Sequence, residues 1–115
     1  MSITLYHNPR CGKSRETLQL LRDRGLEPEI VDYLKTPPTF TTLNQILHQL
    51  GLEPRQLMRT KEKEYRELGL DDPALSRQDL IKAMIAHPIL IERPILLKDG
   101  RAALGRPPET VLAIL

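Results

Sequence analysis

The chain reads as an α/β protein on a mixed four-stranded sheet, with a βαβ half at the front, a ββα half at the back and a helical segment inserted between them. Three observations predict this. Short apolar, β-prone runs at Ile3–Tyr6 and Glu29–Tyr33 flank a helical pattern. Helix signals fill the middle of the chain. Near the end, Asp99-Gly100 separates two more apolar runs, among the strongest short-range signals for a hairpin.

Taken in order, Ile3 to Tyr6 is short and apolar, as a buried strand would be. Asn8-Pro9 marks a loop. From Cys11 the pattern turns helical, with Thr17, Leu18, Leu20 and Leu21 on its apolar side, Arg22 and Arg24 in its last turn and Gly25 as its stop. A strand over Glu29–Tyr33 follows. Strand, helix and strand at this spacing make a βαβ unit, so the two strands should run parallel.

In the middle, Leu43, Ile46, Leu47 and Leu50 recur at the spacing of one helix face, closed by Gly51. Pro54 opens a short helix carrying Leu57 and Met58. Tyr65 and Leu68 belong to another turn or two ending at Gly69. Ser76 and Asp79 make a capping box ahead of Leu80, Ile81, Met84 and Ile85, and Pro88 ends that helix. Ile95–Leu97 and Ala102–Leu104 then pair about the Asp-Gly turn. Pro107 and Pro108 suit the first turn of a final helix through Val111, Leu112 and Leu115.

Composition narrows the function. The 115 residues are 40% hydrophobic but hold no Trp and only 3% aromatics, so the core must come from Leu, Ile and Val. With 17 basic and 15 acidic residues the net charge is +2, which argues against a nucleic-acid coat or a membrane binder. One cysteine forms no internal disulfide, and with three scattered histidines it makes no zinc cluster. The start shows no signal-peptide pattern, and no apolar run approaches the roughly 20 residues that span a bilayer. A soluble protein of a reducing cytoplasm is expected.

The one thiol, Cys11, falls just after a strand-ending loop, where a helix begins. Unpaired N–H groups and the helix dipole favour negative charge there, and such a position lowers a thiol from its usual pKa of about 8.5. Arg10, Lys13 and Arg15 add positive charge, His7 assists if protonated, and Ser14 can donate a hydrogen bond to the thiolate. The same N–H groups can hold a tetrahedral oxyanion. The bland reading is a small buried hydrophobe, but the polar, loop-forming neighbours favour a reactive, exposed sulfur. The position where a thioredoxin-type Cys-x-x-Cys keeps its resolving thiol is Ser14, so an adduct on Cys11 needs electrons from another molecule. A Cys-x5-Arg phosphatase is disfavoured because Thr17 stands where the Arg would be.

The stretches YHNPRCGKSRETL, HPILIERPILL and GRPPETVL, in this order, resemble the arsenate reductase family of the ArsC type, in its glutaredoxin-dependent branch on a thioredoxin-like fold. The resemblance implies one such domain over 1–115 with a helical insert at about 39–87. It implies Cys11 as nucleophile, Arg59, Arg93 and Arg106 as oxyanion ligands, and His7 and Ser14 as tuners of the thiolate. Thioredoxin-like folds usually set a cis proline opposite the active cysteine, which would bring Arg93, ahead of Pro94, beside Cys11. Three guanidiniums would suit a tetrahedral dianion through forked, charge-assisted bonds. No bound cofactor is implied; arsenate is the substrate, glutathione the co-substrate and glutaredoxin the partner of a monomer.

Family members commonly carry small or neutral residues where this chain has Arg10 and Lys13. The added charge either depresses the thiol further or marks a branch with another physiological substrate. Two alternatives stay open on sequence: a glutathione-dependent thiol reductase of the same fold, indifferent to Arg59, and a Spx-like regulator that binds RNA polymerase without turnover. Arg15 and Arg22 read as surface charge, and His48 and His87 as structural residues.

Overall fold

β1 (Ile3–His7), α1 (Gly12–Asp23) and β2 (Glu29–Asp32) open the computed structural model, which describes residues 3–115. The chain divides into two compact units, the first running to Thr36 and resuming at Arg93–Leu115, the second spanning Pro37–Glu92.

In the first unit β1 and β2 pair in parallel, Thr4 with Glu29 through His7 with Asp32. β3 (Ile95–Lys98) pairs antiparallel with β1, and β4 (Arg101–Leu104) with β3, giving one four-stranded sheet ordered β2-β1-β3-β4. Asp99 and Gly100 turn the hairpin with φ of 51° and 77°. That two-residue turn with both φ positive matches the twist of the strands it joins. The core gathers Leu5, Leu21, Leu96, Ala103, Val111 and Ile114, with Ile3, Leu18, Leu20 and Leu26 packed around them. Strands, α1 and the C-terminal segment each contribute, so α1 is held on the sheet by its Leu21 face.

Two elements differ from the sequence expectation. β2 stops at Asp32, and Tyr33, 1% exposed, is buried in the turn that follows. The N–H groups of Lys35 and Thr36 both bond the Asp32 carbonyl, and Asp32 Oδ1 accepts from Leu34 N–H, so this residue closes a turn instead of extending a ladder. The last helix is a 3₁₀ helix, Pro108–Ile114, and not an α-helix. The short segment closes on i→i+3 bonds such as Thr110 N–H to Pro107 C=O.

The second unit contains α2 (Phe40–Leu50), α3 (Pro54–Leu57), α4 (Lys63–Glu67), α5 (Arg77–Ala86) and a 3₁₀ turn, Pro88–Leu90. Thr39 caps α2 by accepting from Thr42 N–H, and Gly51 ends it in the left-handed region. Ser76 and Asp79 form the capping box of α5. Leu43, Ile46, Leu47, Leu80, Ile81 and Met84 are buried along these two helices. Among the described residues no helix is long and apolar enough to cross a membrane.

Gly105 is the tightest glycine position in the first unit. A Cβ there would stand 2.7 Å from both Pro94 Cγ and Thr17 Oγ1. Gly105→Ala therefore forces the segment after β4 away from α1 and Pro94, and should cost about 1–3 kcal/mol. Chemical denaturation of the variant measures it; a change within error would mean the segment shifts freely.

Candidate functional site

The loop from β1 to α1 is tied at both ends. Asn8, 4% exposed, accepts Cys11 N–H at its carbonyl and Arg10 N–H at its side-chain oxygen, each at 3.0 Å. Asn8 N–H in turn donates to Ser14 Oγ at 3.0 Å. Arg15, one turn into the helix, reaches back to the Pro9 carbonyl. These bonds fix Cys11 as the N-cap of α1, with extended φ and ψ of −91° and 124°.

At an N-cap the usual Ser, Asp or Asn oxygen accepts the free N–H groups of the first turn. Here a half-buried sulfur has that place. It closes no cap bond in the structure, but its charged form is favoured. Burial alone pushes the thiol up; the Ser14 backbone N–H, the Arg93 guanidinium by hydrogen bond and charge, and the Lys13 N–H outweigh it and bring the pKa below the ordinary thiol value. Ser14 thus favours the anion through its main-chain N–H without a closed hydrogen bond to the sulfur, and its hydroxyl pairs with His7.

That hydroxyl lies 2.6 Å from His7 Nδ1, inside a pair that is 0% and 6% exposed. Ser14 Oγ also accepts from Asn8 N–H, so the hydroxyl links the His7 ring to the loop ahead of the helix. Burial lowers the His7 pKa, Asp32 opposes this, and Arg22 and Arg15 add to the lowering. His7 accordingly favours its neutral form, hydrogen-bonded to Ser14.

Arg93 and Arg106 meet in the same unit. Both precede cis prolines, Pro94 and Pro107. Gly105 N–H bonds the Pro94 carbonyl at 2.9 Å, and the exposed Arg106 donates from Nη1 to the Arg93 carbonyl at 3.1 Å. Arg93 Nε and Nη1 are buried with no hydrogen-bond partner. The guanidinium beside the sulfur thus keeps two donors that the chain does not match.

Arg59 belongs to the second unit, where its guanidinium pairs with Glu62 at 3.1 Å and Glu92 at 2.8 Å, and its N–H bonds the Leu90 carbonyl. The structure thus brings His7, Cys11, Ser14, Arg93 and Arg106 together within one unit, and Arg59 is engaged by two carboxylates in the other. Sequence reasoning missed the part of Asn8, read only as a loop marker, and of Gly105. The bond to the cap's own N–H comes from the Asn8 main-chain carbonyl, which any residue type supplies, so the sequence held no signal for it.

Alkylation of Cys11 followed against pH should give a midpoint below the ordinary thiol value of about 8.5. Arg93→Ala removes a favourable partner of the anion, so its midpoint should move up, while Arg22→Ala should leave it in place. Equal midpoints in the wild type and Arg93→Ala would show that the guanidinium does not act on the sulfur.

A sequence model of the ArsC family matches residues 6–114. An arsenate reductase of Neisseria meningitidis serogroup A is 50% identical over 114 residues, covering 98% of this chain and 97% of that protein. An uncharacterized protein of Escherichia coli K12 is 54% identical, covering 98% of this chain and 96% of its own length. The solved structure of an arsenate reductase from Vibrio cholerae superposes with a TM-score of 0.97 at 52% identity, covering all of this chain and 98% of that one. The fold is thioredoxin-like, and with its cysteine loop and both cis-proline arginines inside the matched span, the chain belongs to the ArsC family.

Proposed function

We propose that this protein is an oxidoreductase that reduces arsenate to arsenite. The observation that carries the reading is Arg93: two of its buried donors have no partner, beside a sulfur held towards its thiolate form. A tetrahedral oxyanion supplies the acceptors that such a guanidinium lacks. The names of the relatives favour arsenate over other oxyanions.

The Cys11 thiolate attacks arsenic, and one arsenate oxygen leaves as water. Arg93 and the first-turn N–H groups of α1 hold the remaining oxygens, with Arg106 at the exposed rim. A glutathione thiolate then attacks the Cys11 sulfur. The sulfur–arsenic bond breaks with its electron pair on arsenic, so arsenic is reduced by two electrons as a mixed disulfide forms. Glutaredoxin clears that disulfide by thiol exchange. Arg59 is the third oxyanion ligand in this reading, on the family pattern alone. The reducing cytoplasm keeps Cys11 free, and a monomer suffices because one chain carries every group named.

Purified protein given arsenate, glutathione and glutaredoxin should form arsenite. Cys11→Ser should abolish turnover, and Arg93→Ala should lower kcat/KM by about 10²–10³, as loss of a donor aimed at developing charge does elsewhere. Arg59→Ala should cost less, because its two carboxylates must be displaced before it can act. Folded wild-type protein that forms no arsenite above background would end the proposal.

A further inference from the structure

At the C-terminal ends of β1 and β2 the first unit has a cleft of about 270 Å³ lined by Asn8, Pro9, Arg10, Asp32, Leu34 and Lys35. One wall is the loop that carries Cys11, the residue after Arg10. The volume falls just below the roughly 300 Å³ at which small-molecule pockets begin, so the cleft suits one end of a ligand rather than a whole one. Its chemistry is mixed. Arg10 and Lys35 are exposed cations whose side chains have no partner among the described residues. Asp32 Oδ1 accepts from Leu34 N–H at 3.2 Å, and Oδ2 has no hydrogen bond among the described residues. Leu34, 37% exposed, offers an apolar surface between them.

Two cations, one carboxylate and an apolar strip fit a free amino-acid terminus, which presents a carboxylate, an ammonium and short methylenes. We propose that this cleft is the subsite for the zwitterionic end of a small peptide thiol, and that it delivers the thiol to the Cys11 adduct. Arg10 and Lys35 take the α-carboxylate, Asp32 takes the α-ammonium, and Leu34 covers the methylenes. The inference rests on the reading that an external thiol resolves that adduct. The step it assists is the one already balanced: the thiolate bonds to the Cys11 sulfur, and the Cys11 leaving group departs with the electron pair.

The test needs no arsenate. The full chain is loaded at Cys11 as a mixed disulfide with thionitrobenzoate, whose release as the coloured anion reports attack on the Cys11 sulfur. Rates per thiolate are compared for glutathione, N-acetylated glutathione with esterified carboxylates, and 2-mercaptoethanol. Glutathione should lead, and its lead should shrink at high ionic strength. Lys35→Glu and Arg10→Glu should each lower the ratio of the glutathione rate to the 2-mercaptoethanol rate by about three- to tenfold, the scale of reversing one exposed charge contact. Both thiols attack the same sulfur, so the ratio cancels any change in that sulfur itself. Asp32→Asn should erase the advantage of the free ammonium. A ratio unmoved in both charge reversals, or two rates that fall together, overturns the subsite. An intact preference beside absent arsenate turnover supports the subsite and defeats only the arsenate reading; turnover without preference does the reverse.

Discussion

A thiolate withdrawn from water needs its charge met by groups that are already in place. At Cys11 burial acts against the anion, and the balance is reversed by the Ser14 and Lys13 N–H groups and by Arg93. The first two come at no extra cost in residues, since the opening turn of any helix has N–H groups without internal acceptors. Their aim depends on the loop before the helix, and Asn8 sets that loop with three hydrogen bonds. The sulfur's chemistry is thus inherited from the way β1 hands the chain to α1.

Arg93 is supplied from the far end of the sequence, and its position is a matter of packing. Pro94 meets Gly105 through a main-chain bond, and Gly105 leaves no room for a side chain between Pro94 and Thr17. Thr17 is itself buried on α1 and donates to the Lys13 carbonyl. The helix that stabilises the thiolate and the segment that presents the guanidinium are therefore in direct contact, so neither drifts alone. Buried donors left without acceptors cost about 1–3 kcal/mol each. Two of them on one guanidinium make sense where an anion arrives to accept both.

Local patterns carried most of the first unit. The alternation of strand, helix and strand, the Asp99-Gly100 turn and the cysteine at a helix start depend on near neighbours, and each is where the pattern puts it. Tyr33 was misread because its β propensity is real, but Asp32 captures three N–H groups and bends the chain first. The final segment has the spacing of an α-helix but closes on i→i+3 bonds. The roles of Asn8 and Gly105 and the buried, unpartnered donors of Arg93 were not legible, because each rests on contacts between residues far apart or on a main-chain bond. Ser14 shows the same limit within one residue: its type suggested a hydroxyl on the sulfur, while its hydroxyl serves His7 and its N–H serves Cys11.

The neutrality of His7 has a consequence for how the anion site works. The groups that meet negative charge at Cys11 are a guanidinium and peptide N–H groups, none of which changes its protonation near neutral pH. His7 sits one bond further out, below its ordinary range because it is buried, with Asp32 beside it as the opposing influence. Protonating His7 would bury a cation in the field of Arg22 and Arg15, which with desolvation already oppose it. Positive charge at the site is in this way built in by the fold, and the ionisation of the sulfur is left as the acid–base event that sets the reactive form.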